Sequence, residues 1–284
     1  MAETAFQTEY RQSFIMGFED MTSRLRSTTV THAEIKGNAA VFLVATSGSA
    51  TAVTRGANGL IAARADSLTQ NTATLAEWHD LVRKTGFNVF ASQGDQKKIM
   101  QETTMGVINR KIDSDIIAQL DTATNDTGTA IPATLNMVIH AKVILGDNFV
   151  PTEDEDNMFA VVSPSFNGYL MQIKEYASAE YVDNKPFNGP TRKFKRWAGV
   201  NWFEHPRLTG SVGAGSAGSS EQCFMYHRNS IGHAVNTAGL NIGLGYDEEQ
   251  DYSYSRVSGY FGSKLLQNAG VVMMKHDASA FAAA

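Results

Sequence analysis

Between Thr46 and Asp121 the chain joins an arm with almost no core of its own to an unusually long amphipathic helix. No Phe, Tyr or Trp occurs from Leu43 to Glu77, and the bulky aliphatics there are only Leu43, Val44, Val53, Leu60, Ile61, Leu68 and Leu75. The runs Thr51–Thr54 and Leu60–Ala63, separated by Arg55-Gly56-Ala57-Asn58-Gly59, read as a hairpin-like excursion. An isolated hairpin is marginal in water, so this one needs another surface to lie on. The arm points to assembly rather than to a catalytic pocket.

The helix that follows is expected to start at Asp95, a good N-cap residue, and to run to Asp121, roughly 40 Å at about 1.5 Å per residue. Met105, Ile108, Ile112, Ile116 and Leu120 share one face, while Glu102, Arg110, Asp113 and Gln119 lie largely off it. Gly106 is a weak spot, costing ~1 kcal/mol relative to Ala. Upstream, Phe6 to Arg26 has helical spacing and Ala39 to Ala45 reads as a buried strand.

Downstream, a second helix is expected from Pro132, with Gly146 as its C′ residue. Met158–Ser163 reads as a buried strand and Pro164 opens another short helix. Strands are expected at Trp197–Glu204, Gln222–His227, Tyr252–Tyr260 and Val271–Lys275, with a short helix from Asn229 to Asn236. Helices interspersed with strands after one long helix make an α+β chain.

At 284 residues the chain can bury one large core or two modest ones. Its longest apolar run, Ala39–Ala45, is far too short to span a membrane, and no secretory leader pattern opens it. The single cysteine, Cys223, excludes an internal disulfide framework and suits a reducing compartment. A net charge of −5 argues against strong non-specific binding to nucleic acid.

Three constellations carry possible chemistry. Gly213-Ala214-Gly215-Ser216-Ala217-Gly218 matches a dinucleotide-binding pattern, but a strand-like segment follows where a phosphate-binding helix should begin, so a surface loop is the better reading. Cys223, His227 and His233 lack a further ligand at recognisable spacing, which favours structural roles over a metal site or a Cys223/His227 enzyme. The basic cluster Arg192-Lys193-Phe194-Lys195-Arg196-Trp197 offers nucleic-acid binding. A solvated strand edge, or a subunit contact, that pairs with acids such as Glu153-Asp154-Glu155-Asp156 accounts for it more simply. No catalytic residue, cofactor or metal is expected, and the chain reads as a non-enzyme.

The order of segments resembles the major capsid proteins of tailed bacteriophages. Ala73-Thr74-Leu75-Ala76-Glu77-Trp78-His79-Asp80-Leu81 before the long helix looks like that family's return from an extended loop into its spine helix. Asn157–Pro164, Phe194–Pro206, Gln222–His227 with Ile231-Gly232, and Gly270–Met274 resemble later family segments in the same order. The resemblance implies an N-terminal arm (1–37) and an extended β-hairpin loop with flanking strands (38–84). It implies a peripheral domain with the spine helix (85–128 plus 246–284) and an inserted axial domain (129–245). Function would be self-assembly into an icosahedral shell around double-stranded DNA, held without sequence-specific contacts. Assembly would take place in the host bacterial cytoplasm and the product would be the virion.

Val53, Arg55, Leu60, Ile61 and Arg64 are the expected loop contacts to neighbouring subunits, and Arg192, Lys193, Lys195 and Arg196 the possible capsomer contacts. The same architecture serves encapsulin-type compartments, the alternative reading. No lysine occurs between Lys36 and Lys84, so the loop-lysine crosslinking used by one family member is not available. Expected partners are further copies of the chain, with separate scaffolding, portal and possibly cement proteins, and no membrane.

Overall fold

A computed structural model describes residues 21–47, 50–91, 95–177, 195–236 and 240–282. The expected helix from Phe6 lies outside the described residues as far as Asp20, and Arg26–Thr28 at its end form a single 3-10 turn. The strands are β1 (Val30–Ile35), β2 (Ala39–Thr46), β3 (Ser67–Thr74), β4 (Ala76–Thr85), β5 (Met158–Val162), β6 (Lys195–Trp197), β7 (Val200–Glu204), β8 (Glu221–His227), β9 (Ile231–Asn236), β10 (Asn241–Asp247), β11 (Tyr252–Leu265) and β12 (Val271–His276). The helices that matter below are α1 (Gly86–Ala91), α2 (Gln96–Leu120), α3 (Leu135–Asp147) and α4 (Pro164–Leu170).

Helix α2 forms because its local signals agree. The Asp95 side chain accepts from the amides of Lys97 and Lys98, both at 3.1 Å, so two otherwise orphaned donors are satisfied. Met100, Thr104, Ile108, Ile112, Ile116 and Leu120 recur every four residues, and all are buried. Two details depart from the expected stripe. Met105 is only half-buried at its edge, and Asp113, placed off it by periodicity, is buried. Gly106 is also a packing requirement, since a Cβ there would lie 2.9 Å from Met21 Sδ.

Helix α2 lies on a sheet ordered β1-β9-β11-β10, with β4 on the other side of β11. The α2-facing residues of β11 are Ser253, Ser255, Val257, Gly259, Phe261 and Ser263, mostly small, which lets the helix come close. Lys111 of α2 sits 4.0 Å over the Trp78 ring, and Gln119 Oε1 accepts from the Leu265 amide at 3.3 Å. A second sheet, β12-β8-β5-β7-β6, carries most of the core, and every residue of β5 is buried. Helix α3 packs on β12. Ser163 caps α4 by accepting from the Phe166 amide, with Pro164 in the first turn as expected.

Strand pairing crosses the expected division at residue 245 in both directions: β9 and β10 pair with β11, and β12 pairs with β8.

Several local expectations are corrected. Residues 231–236 are strand rather than helix, because β1 and β11 offer partners on both sides and the backbone follows them. Trp197–Glu204 is a hairpin, not one strand; Ala198 (φ 53) and Gly199 (φ 71) form the left-handed two-residue turn that matches strand twist. Helix α3 starts at Leu135 because Thr134 is its cap, leaving Pro132 outside; Ile131 instead bridges His276. Gly146 stays helical, and the left-handed residue beyond the end is Phe149 (φ 59).

Among the described residues no helix is long and apolar enough to cross a membrane.

Candidate assembly surfaces

Strands β2 and β3 form a separate two-stranded ribbon, paired from Ala39↔Thr74 to Thr46↔Ser67. The paired segments are therefore the flanks of the excursion and not Thr51–Thr54 with Leu60–Ala63. Among the described residues between 47 and 66 there is no strand; a turn closes the loop, with the Gly56 amide bonded to the Leu60 carbonyl at 3.0 Å.

One face of the ribbon anchors it. Ala40, Phe42 and Ala73 join Ala234 in a small second core, flanked by Val30, Ile35, Leu75 and Leu266. Phe42 lies on Gly232, where a Cβ would be 2.7 Å from the ring, and Asn71 Nδ2 donates to the Leu266 carbonyl at 3.1 Å. The other face, with Val41, Leu43 and Leu68, is exposed. Ala39–Ala45 is thus a half-buried strand and not a fully buried one.

Beyond the ribbon, Val53, Leu60 and Ile61 are 59%, 74% and 64% exposed. Arg55 is exposed too, and Arg64 meets Asp66 at 3.3 Å in a surface pair of the kind that contributes little. The loop residues named from sequence therefore lie together on one uncovered projection. The basic cluster behaves otherwise. Arg192 and Lys193 lie outside the described residues. Lys195 Nζ donates to the Tyr176 carbonyl at 3.1 Å and sits over the Tyr176 ring, where burial pulls its ammonium down to about 8. Arg196 pairs with Asp156 and lies 3.9 Å from Glu155, two of the acids named for it.

Sequence reasoning missed the outer ribbon residues Val41, Leu43 and Leu68, because Ala39–Ala45 is apolar at every position and carries no period-two alternation that would separate its two faces. It also missed a buried junction. Asp113 accepts from Ser23 Oγ (2.5 Å), Arg24 N (2.9 Å) and Leu25 N (3.1 Å), and lies 3.4 Å from His205 Nε2. Burial pushes this carboxyl up, but the bonds from His205, Ser23 and the two amides outweigh it and hold the group below its usual range. The entering chain is thereby pinned to the middle of α2.

The phage capsid protein family matches residues 2–278 of the sequence. This chain belongs to that family. Solved structures agree in fold. A chain of Mycobacterium phage Che8 superposes with a TM-score of 0.75 at 15% identity, covering 96% of this chain and 98% of that one. The capsid asymmetric unit of cyanophage Pam1 gives 0.73 at 13% identity over 98% of both chains. The capsid of a native GTA particle gives 0.70 at 12% identity over 95% of both. No curated protein matches the sequence. The α+β capsid fold expected from segment order is the fold observed.

Other constellations of this capsid chain resolve into structure. Cys223 is wholly buried in β8, and its thiol is pushed up to about 12, chiefly by burial, far from a reactive thiolate. His227 Nδ1 accepts from the Asn229 amide, and His233 Nδ1 bonds Ser263 Oγ at 3.0 Å, so these two and Cys223 do not converge. Among the described residues no group of three or more His, Cys, Asp and Glu could hold a metal ion. The glycine-rich loop leads into β8, and Gly213 lies against the Pro206 carbonyl, where a Cβ would be 2.1 Å away.

Proposed function

We propose that this chain is the major capsid protein of a tailed bacteriophage, closing an icosahedral shell around double-stranded DNA by association of many copies. The observation that carries this reading is the ribbon and loop with apolar residues that the subunit leaves in water, on a chain of the phage capsid protein family. Contiguous exposed apolar surface of this kind marks an interaction site. Val53, Arg55, Leu60, Ile61 and Arg64 make the contact with a neighbouring copy in this reading.

Residues 1–37 act as an arm, 38–84 as the extended loop with its flanking strands, 85–128 with 246–284 as the peripheral domain, and 129–245 as the axial domain. Helix α2 is the spine, and β12 is lent to the axial sheet. Axial domains meet around five- and six-fold axes, with Lys195 and Arg196 near that contact. Each interface can be individually weak, because a closed shell multiplies contacts and lets misplaced subunits leave. The acidic chain encloses DNA without gripping it, and DNA release that depended steeply on salt would count against that point. Separate scaffolding, portal and possibly cement proteins complete assembly in the host cytoplasm. The role is structural and not enzymatic.

Negative-stain electron microscopy of the purified chain, with and without proteins co-expressed from neighbouring genes, tests the reading. Closed shells are expected. A protein that stays strictly monomeric at high concentration with every such helper overturns it.

A further inference from the structure

Strand β10 has one edge on β11, and among the described residues no strand pairs with the other. An open edge is a template for another chain, and proteins ordinarily guard it with charge, proline or broken pairing. Other end strands here carry such guards. Strand β4 has Glu77, Asp80, Arg83 and Lys84, β6 has Lys195 and Arg196, and β12 is met by bridges from Asp126 and Ile131. From Asn241 to Tyr246, β10 has neither charge nor proline, and its register with β11 runs unbroken from Asn241↔Ser258 to Asp247↔Tyr252.

The strand Asn241-Ile242-Gly243-Leu244-Gly245-Tyr246-Asp247 also reads alike in both directions by side-chain class. Two copies laid antiparallel about Leu244 match at every position. Leu244 faces itself, Ile242 faces Tyr246, Gly243 faces Gly245, and the Asn241 amide can donate to Asp247. Residues directly opposite in such a pair point to the same face, so six large side chains meet on one side of the joint. That side continues the α2-covered face of the sheet, because Ile242, Leu244 and Tyr246 pair with Val257, Ser255 and Ser253. Those three partners are buried, yet Ile242, Leu244 and Tyr246 remain 39%, 50% and 50% exposed. The glycine face is closed within the chain, since a Cβ on Gly245 would lie 2.5 Å from the Tyr254 ring.

Charge chooses the direction of pairing. The acidic turn Asp247-Glu248-Glu249-Gln250-Asp251 follows the strand. Asp247 Oδ1 accepts from the amides of Glu249 (3.0 Å) and Gln250 (3.1 Å), and Asp251 accepts from the Tyr246 hydroxyl, so both aspartates build the turn while Glu248 and Glu249 are exposed. Parallel strands would set two such turns side by side. Antiparallel strands hold them at opposite ends of the joint, roughly 20 Å apart and beyond the screening length of about 8 Å at physiological ionic strength.

We propose that β10 of one copy pairs antiparallel with β10 of a second copy about a two-fold axis at Leu244, joining the two sheets into one. The joint is isologous, with the same surface on both partners. It rests on the capsid reading above, since a closed icosahedral shell supplies two-fold axes between subunits.

The test uses the full chain under conditions where the unaltered protein forms shells. Oxidised Leu244→Cys shells are expected to yield disulfide-linked dimers from this one substitution, with buried Cys223 silent, because Cα atoms facing each other across antiparallel strands lie about 4.5 or 5.5 Å apart, both within disulfide reach. Ile242→Cys alone, displaced from its own counterpart by about 13 Å, is expected to stay monomeric, and Ile242→Cys with Tyr246→Cys to link. Leu244→Lys and Leu244→Glu each set like charges face to face. Each is expected to keep the subunit's circular dichroism and to lower the assembled fraction by at least about ten-fold, and co-expression of the two to restore it. A Leu244→Cys chain that stays monomeric in oxidised shells, an Ile242→Cys chain that links by itself, or shells undiminished by either charge overturns the joint and leaves the capsid reading standing. Loss of shells that co-expression does not recover overturns it too, and points to the chain's own first twenty residues or a separate protein on that edge. Absence of shells from the unaltered protein sinks the capsid reading; a Leu244→Cys chain that is then monomeric after oxidation in solution sinks the joint as well.

Discussion

In β5 every residue from Met158 to Val162 is buried, whereas in β2 the pattern alternates and Val41 and Leu43 face water. The two strands have similar chemistry, rich in Val, Ala and Phe. They differ in what lies on either side. Helices and neighbouring strands close over β5 within one copy; the ribbon has one face on a small core and the other on nothing. Folding and association therefore draw on separate sets of residues, and damage to one set should leave the other measurable.

The strongest way to break the comparison is Val161→Asp, which places a charge in the dry sheet. A loss beyond about 5 kcal/mol is expected, enough to abolish the folded subunit, and thermal denaturation would read it. Asp113→Ala comes next. It removes the shared acceptor of the Ser23 hydroxyl and the Arg24 and Leu25 amides, and about 4 kcal/mol should vanish from denaturant unfolding. A midpoint shift below about 1 kcal/mol would show that the pinned entry segment contributes little.

Acid gives a smaller effect. His233 is driven from its ordinary 6.5 down to about 4, first by burial and then by Arg26, so the folded state holds it neutral. Its folded value lies below its unfolded one, hence the unfolded chain binds the extra proton between pH 6.5 and 4. Stability falls as pH drops through that window, by at most about 3 kcal/mol. His276, also lowered by burial, acts in the same direction. His233→Gln should flatten the profile; an unchanged slope would place the titration elsewhere.

The smallest effect on stability sharpens the contrast most. Leu60→Asp with Ile61→Asp should change the subunit's melting free energy by no more than about 0.5 kcal/mol while abolishing shells. Loss of helix signal in that variant would mean the loop belongs to the subunit's own core.

Legibility in the sequence tracked how local each cause was. Helix α2 could be read because its cap and its four-residue stripe lie within the segment itself, and β5 because its apolar run needs no partner to be recognised. Asp113 could not, since the amides it accepts come from the start of the chain and a charged residue scores as solvent-facing. Ile231–Asn236 was read as helix because Gly232 and Ala234 hide a strand whose identity depends on β1 and β11. The exposed loop side chains were foreseeable from the absence of anything nearby to bury them. The uncovered row on β10 was not, because alternating glycines depress strand propensity and only the tertiary fold shows where α2 stops.

The position of β11 and β12 in the sheets sets a schedule for synthesis. Strand β11 joins β4, β9 and β10, and β12 forms an edge beside β8, yet both come from the end of the chain. A nascent polypeptide halted before Tyr252 owns neither finished sheet. Ribosome-bound fragments consequently carry the exposed ribbon and loop before either main sheet can close.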